Sequence, residues 1–215
     1  MEHQAALTAR LARDLDGSFP ALVAEHQDRL YTIALRLLGD RRDAEEVAQD
    51  ALVRAYRAIG SYDPDRVRAL RLGPWLASIT INLARNRRRR HDDRVPPLAL
   101  DPIREAGFEP PTEDRWGPGA TADRRETKRE LAEALLTLPP SVRAAVVLRH
   151  VDGLSVAEAA AALDRPEGTI KAQVHRGLAQ LRALLGGENT LESPIAQPTI
   201  STPRPRAAAA VEALP

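Results

Sequence analysis

Thr169, Lys171, Gln173, His175 and Arg176 stand close together on a segment whose apolar residues, Ile170, Val174, Leu178 and Leu181, recur at helical spacing. That pattern makes an amphipathic helix with one buried stripe and one basic, hydrogen-bonding side, which also carries Ala172. Such a helix fits the major groove of duplex DNA, where side chains near its N-terminus reach base edges. Just upstream, Val156, Ala160 and Leu163 form a second apolar face, and Asp164, Arg165, Pro166, Glu167 and Gly168 supply a turn. Ser155 followed three residues later by Glu158 is a capping-box signature for the first of the two helices. The segment 157–185 therefore reads as a helix-turn-helix. A plain three-helix bundle with a solvated charged face would share the apolar stripe, but not the agreement of cap, turn and basic helix.

A second basic stretch lies some seventy residues upstream: Arg85, Arg87, Arg88, Arg89 and Arg90, with His91 and Arg94 just beyond. Consecutive arginines wrap around a helix, so they cannot all face one ligand. If about four of them met phosphates, affinity for duplex DNA would fall with a log–log salt slope near about −4. The competing reading is a solvated basic helix end, which the helix dipole favours in any case. Between residues 43 and 57 the opposite character appears. Asp43, Glu45, Glu46, Gln49, Asp50, Arg54 and Arg57 lie off an apolar stripe of Ala44, Val47, Ala48, Ala51, Leu52, Ala55 and Ile59. Carboxylates beside two basic modules would repel phosphate, so this face is expected to meet a protein partner or solvent.

Signals of catalysis are missing from the pattern. The 5 histidines are scattered without metal-ligand spacing, no serine sits in a Gly-x-Ser-x-Gly elbow, and no glycine-rich phosphate loop occurs. With 0 cysteines, thiolate zinc sites, disulfides and cysteine nucleophiles are excluded. The expectation is a non-enzyme with no catalytic residues, no metal and no cofactor.

The elements that must position these residues are helical. Leu22, His26, Leu30, Ile33, Ala34 and Leu37 form one amphipathic helix closing near Gly39 and Asp40, and the stripe from Ala44 to Ile59 forms a second, with Gly60 as its stop. Residues 61–74 hold turn formers and three arginines and read as a loop or broken helix. Pro74 suits the first turn of a helix through Trp75, Leu76, Ile79 and Leu83 that runs into the arginines. Periodicity vanishes from Asp93 to about Ala122, where Pro96, Pro97, Pro102, Pro110, Pro111 and Pro118 mark a linker. It resumes at 124–138, breaks at Pro139 and Pro140, and continues over 142–151. The fold expected is all-α: an N-terminal helical bundle and a C-terminal helix-turn-helix domain joined by a flexible, proline-rich linker. The expected boundaries are an N-terminal segment 1–17, domains 18–92 and 123–187, a linker 93–122 and a disordered tail 188–215. At 215 residues and 3% aromatics, two small cores fit better than one large one, and the net charge of +1 matters less than its distribution. No apolar run approaches the roughly 18 residues of a membrane span, and the N-terminus has no signal-peptide core. A soluble cytoplasmic protein without membrane insertion is expected.

Taken together, the run from Asp43 through Arg57, then Trp75, Leu76 and Asn82, then Leu138, Pro139, Val147, Leu148, Gly153, Leu154, Ser155 and Glu158, and finally Gly168, Thr169, Ile170, Lys171 and Arg176 resembles the extracytoplasmic-function (ECF) sigma factors, within the sigma-70 family of promoter-recognition subunits of bacterial RNA polymerase. The resemblance covers nearly all of residues 19–185. It implies core RNA polymerase and promoter DNA as partners, with an anti-sigma factor as a further one. It assigns Asp43, Glu46, Gln49, Asp50 and Arg54 to core-polymerase binding. It assigns Arg66, Arg68, Arg71, Asn82, Arg85, Asn86 and Arg89 to the −10 DNA, and Thr169, Lys171, Ala172, Gln173, His175 and Arg176 to the −35 DNA. Trp75 is expected to pack in the core. Between Tyr62 and Trp75 the sequence has arginines and no aromatic, which points to phosphate contacts there rather than base stacking.

Such promoter elements, about 17 base pairs apart, are separated by about 58 Å at about 3.4 Å per step. A linker of about 30 residues reaches at most about 100 Å, while a flexible coil of that length averages only about 30 Å. Tethering alone fixes neither distance nor orientation, so a scaffold holding both domains is required for selective binding. The alternative is a stand-alone helix-turn-helix regulator of duplex DNA, which leaves the acidic helix without a role.

Overall fold

Helix caps written into the sequence divide the chain into its elements. The computed structural model describes residues 2–92 and 118–186 and contains α-helices, one π-helical turn and, among the described residues, no strand. Helix α1 spans Glu2–Leu11. Asp14 then caps α2 (Leu15–Leu38) by accepting from the Gly17 amide at 3.0 Å. Gly39 closes α2 in the left-handed region at φ 79°, where a side chain would be strained. Asp40 at once caps α3 (Arg41–Ser61), accepting from the Asp43 amide at 2.8 Å. Asp63 caps the short α4 (Pro64–Ala69), and α5 runs Leu72–Asp92 with Pro74 in its first turn. The stretch 61–74 is thus a broken helix, and Gly60 lies inside α3 rather than ending it.

The C-terminal half begins with α6 (Pro118–Thr137), which starts ahead of the expected return of periodicity at 124 because proline is readily accommodated in a first helical turn. Helix α7 (Pro140–Val146) passes into a π-helical turn (Val147–Val151). Helix α8 (Val156–Leu163) carries the expected capping box: the Glu158 amide donates to Ser155 Oγ at 3.2 Å, and the Ser155 amide donates to Glu158 Oε2 at 2.8 Å. Asp164 makes the turn in the left-handed region, and α9 (Glu167–Leu184) follows. Most of the linker expected at 93–122, namely 93–117, and the tail expected at 188–215 lie outside the described residues.

Helices α2, α3 and α5 pack on one another, and α7, α8 and α9 form a second group. Leu22, Leu30, Ile33, Ala44, Ala51, Leu72 and Leu76 are fully or almost fully buried in the first group. Each fully buried Leu or Ile of this kind contributes about 1.5–3 kcal/mol. The first residues are not a loose extension. Leu7, Thr8 and Leu11 of α1 are buried, and α1 packs on α2 and α4. In the second group Gly177 of α9 faces α7 so closely that a Cβ there would lie 2.5 Å from Val146 Cγ2.

Candidate polymerase and nucleic-acid interface

Three solvent-facing rows emerge once the apolar stripes are buried. On α3 the row descends from Glu46 through Gln49, Asp50 and Val53 to Arg54 and Tyr56. Of these, Gln49, Asp50, Val53, Arg54 and Tyr56 are exposed. Asp43 and Glu46 stand apart from the rest. Arg87 of α5 reaches across and donates to Asp43 Oδ1, from Nε at 2.9 Å and Nη2 at 2.5 Å, while its Nη1 lies 2.7 Å from Glu46. Those hydrogen bonds, Asp43's first, hold the Arg87 guanidinium above its ordinary pKa. Val53, at 48% exposure, and Tyr56, at 40%, join the polar row as apolar members that sequence reasoning missed. Their signal was available: Val53 falls three or four residues from Asp50 and Gln49, Tyr56 falls three beyond Val53, and both lie outside the stripe of α3. Tyr56 is oriented by an edge-to-face contact with Phe19 at 5.0 Å and by donating to Asp16 at 2.5 Å, a bond that raises the phenol pKa.

On α5, Asn82, Arg85, Asn86 and Arg89 are all exposed and follow the i, i+3, i+4, i+7 spacing of one helical face. Arg87, between them, turns inward to α3. Ahead of this face, the Arg66 guanidinium stacks 3.7 Å from the centroid of the Tyr62 ring, and Tyr62 lies 6.3 Å from the half-buried Trp75, which packs against the core. Arg68 is paired with Asp65 at 2.6 Å, and Arg71 with Glu158 of α8 at 2.5 Å. The hydrogen bonds that Glu158 accepts from Ser155 come first among the causes that lower its pKa.

On α9, Lys171, Ala172, His175 and Arg176 are exposed, and Thr169 and Gln173 are half-buried at the edge of the same face. Ile170 and Leu181 are buried, with Val174 and Leu178 partly so. Among the described residues, no group of three His, Asp or Glu could hold a metal ion, and no helix is long and apolar enough to cross a membrane.

A helical unit with an acidic-apolar face and a polar-basic face, followed by a capped helix-turn-helix, defines a two-module promoter-recognition protein. Sequence models of that class match both modules: sigma-70 region 2 over residues 22–94 and sigma-70 region 4 over residues 128–181. The ECF sigma factor SigW of Bacillus subtilis is 33% identical over 174 residues, covering 78% of this chain and 89% of SigW. The ECF sigma factor SigE of Mycolicibacterium smegmatis is 36% identical over 169 residues, and the match spans 78% of this chain but only 62% of SigE. The solved structure of CnrH in complex with the cytosolic domain of CnrY superposes with a TM-score of 0.61 at 27% identity, covering 86% of this chain and 98% of CnrH. The chain belongs to the ECF RNA polymerase sigma factors of the sigma-70 family, whose members are initiation factors rather than enzymes.

Proposed function

We propose that this chain docks on core RNA polymerase through the exposed row of α3, captures the −10 strand with α4 and α5, and reads the −35 element with α9. The observation that carries the reading is the simultaneous exposure of three chemically distinct faces whose apolar backs are buried. The α3 row mixes a carboxylate, an amide, an arginine and two apolar groups, the composition of a protein-docking surface rather than a phosphate site. The α5 and α9 faces offer arginine, lysine, asparagine and histidine, which suit phosphates and base edges. Residues 22–94 match sigma-70 region 2, which accounts for the helices that a stand-alone duplex regulator would leave idle.

Strand opening in this scheme is driven by binding energy and involves no catalysis by the chain. Extruding a base costs a few kcal/mol, which several charge-assisted contacts from the α5 face offset. The site of action is the cytoplasm, where the polymerase works. A protein inhibitor, an anti-sigma factor, is a further partner; support comes from CnrH, a similar fold solved with a second protein bound.

Run-off transcription with core polymerase on a promoter library tests the reading. The wild-type chain gives new transcripts. The Gln49→Ala/Asp50→Ala/Val53→Ala variant loses them by about tenfold or more, as expected for a central docking patch, with its helix content unchanged. Undiminished transcription by that variant, or palindromic footprints from the chain alone, would sink the assignment.

A further inference from the structure

Helix α1 lies ahead of residues 22–94, the stretch that matches sigma-70 region 2, yet it packs on one of that region's DNA-facing elements. Gln4, Leu7, Thr8 and Leu11 follow the i, i+3, i+4, i+7 spacing of one helical face. Leu7 and Leu11 are buried in the same apolar cluster as Val67 of α4 and Leu72 of α5. The two polar members of the face reach the end of α4. Thr8, 2% exposed, donates its hydroxyl to the Arg68 carbonyl at 3.4 Å and shares that hydrogen with the Ala5 carbonyl of its own helix at 3.1 Å. Gln4 Nε2 donates to the Leu70 carbonyl at 3.4 Å. At the start of α1, His3 lies 3.1 Å from Glu25 of α2, so the helix is tied on both sides.

Helix α4 needs such support. It has 6 residues, and helices shorter than about 12–15 residues are marginal in water by themselves. Its start is fixed locally, because Asp63 accepts from the Arg66 amide at 2.9 Å. Its end has no such cap: the last carbonyls of a helix find no partner within it, and Leu70 leaves in extended backbone at ψ 130°. Thr8 and Gln4 supply donors from outside for two carbonyls at that end. One of them belongs to Arg68, and the Arg66 and Arg68 side chains leave from the same turn. The brace therefore sets where those guanidinium groups stand relative to Asn82 and Asn86 on the exposed face of α5.

We propose that Gln4 and Thr8 are positioning residues for −10 recognition: from α1 they hold the end of α4, so that a strand gripped there meets the face of α5 in one register. The DNA half of this proposal rests on the function proposed above; the brace itself does not. Arginines on phosphates fix register, whereas base-edge contacts discriminate sequences, and selective contacts require geometry held within about 0.5 Å. Loosening α4 consequently lets the strand shift against Asn82 and Asn86. Discrimination falls first, while the phosphate contacts keep most of the affinity. Neither Gln4 nor Thr8 touches DNA in this scheme, and neither lies on the α3 row or on α9.

Gln4→Leu and Thr8→Val remove the two donors at nearly constant volume, and Thr8→Ser, which keeps the hydroxyl, is the conservative control. Hydrogen exchange on the full-length chain reads the brace without DNA. The Val67 and Leu70 amides, bonded to the carbonyls of Asp63 and Val67, are the reporters. In the double variant they are expected to exchange about tenfold faster, the effect of losing two side-chain hydrogen bonds at a helix end, with the amides of α3 unchanged. Holoenzyme carrying each variant is then titrated with forked promoter fragments whose unpaired −10 strand is matched or altered at one base. One altered base ordinarily weakens binding by about fivefold or more, and the double variant is expected to reduce that ratio to about twofold. Thr8→Ser keeps the ratio, and affinities for −35 duplex and for core polymerase stay at wild-type values. Where the double variant fails to fold by circular dichroism, Gln4→Leu alone, at a half-buried position, gives the same changes to a smaller extent. Unchanged exchange in a folded variant overturns the brace. Faster exchange with an undiminished ratio overturns the positioning role, as does a parallel loss of −35 and polymerase affinity, which a merely destabilised chain would show. A wild-type holoenzyme that binds every −10 sequence alike sinks the −10 assignment of the proposed function, and exchange alone then decides the brace.

Discussion

Arg87 and Asp43 join α5 to α3 by two hydrogen bonds to a single carboxylate oxygen, and the same guanidinium lies 2.7 Å from Glu46. Asp43 and Glu46, two of the residues assigned to polymerase docking, therefore already hold α5, and a third, Gln49, donates to Glu45 Oε1 on its own helix at 3.3 Å. The Arg87 and Asp43 side chains are 36% and 20% exposed, so water screens the pair and its contribution is modest, about 1 kcal/mol. Arg87→Ala is expected to lower the urea midpoint accordingly, with an unchanged m-value. Asp43→Ala shifts the midpoint by a similar amount, and the double variant costs less than the sum of the two. Fully additive losses would show that the pair carries no coupling.

The same geometry separates Glu46 from Asp50. Asp50 is exposed and, on the polar row, free of any role in holding α5. Asp50→Ala is expected to raise the concentration needed for half-maximal transcription while leaving thermal stability unchanged. Glu46→Ala is expected to lower stability as well. Identical stability and transcription profiles for the two variants would contradict this division.

Gly177 illustrates what packing demands of a single position. A Cβ there would lie 2.5 Å from Val146 Cγ2 and 2.9 Å from Val142 Cγ1, both on the buried α7. Helix propensity favours alanine over glycine by about 1 kcal/mol, yet overpacking costs about 1–3 kcal/mol, and α7 has little room to retreat. Gly177→Ala is expected to destabilise the chain and to weaken binding of −35 DNA through displacement of α9. A more stable variant would mean that α9 can move away without loss.

Much of this was legible because local signals coincide with the fold. Gly39 and Asp40 end one helix and begin the next, Ser155 and Glu158 form their capping box, and the stripe Ile170, Val174, Leu178, Leu181 turns inward. The spacing of Asn82, Arg85, Asn86 and Arg89 likewise places them on one exposed face. What sequence spacing hides is any relation between distant elements. Nothing local distinguishes Arg87 from its arginine neighbours, and only the approach of α3 turns it inward. Leu7 and Leu11 form too short a stripe to announce α1. Arg29, Asp152 and Arg143 look like ordinary surface charges until the seam between the two regions brings them together.

Between pH 5 and 7 the stability of the chain should depend on one buried imidazole. His26 of α2 is 7% exposed, neither ring nitrogen has a hydrogen-bond partner, and the Glu25 carboxylate stands 3.8 Å from Nε2, too far to bond. Burial lowers its pKa below 6.5, with Glu25 and Asp152 opposing that shift and Arg29 adding to it. The unfolded chain therefore binds the proton more readily than the folded one. Stability from this group is present above about pH 6.5 and is lost as pH falls from there toward the lowered folded value. The slope cannot exceed about 1.4 kcal/mol per pH unit for one proton. Urea unfolding at pH 7, 6 and 5 checks this, with His26→Leu expected to flatten the profile over that range. A variant that keeps the wild-type slope would assign the pH dependence to another group.

The two DNA-facing rows should differ in how they respond to salt. Lys171 and Arg176 sit exposed on α9, which is assigned to duplex DNA, whereas Arg85 and Arg89 lie on the α5 face assigned to a single strand. Each phosphate contact contributes about −0.9 to the log–log salt slope on B-DNA and about −0.7 on a single strand. With holoenzyme on a forked promoter fragment, Lys171→Ala should flatten the slope by about 0.9 and weaken binding about equally across −35 sequences. Arg85→Ala/Arg89→Ala should flatten it by about 1.4 when the −10 segment is unpaired. If Lys171→Ala instead leaves the slope intact and alters the preferred −35 sequence, Lys171 reads a base rather than a phosphate. If the α5 double variant leaves the slope intact on the open fork, the −10 assignment of that face is wrong, because two exposed guanidinium groups that neutralise phosphates must release counterions when they bind.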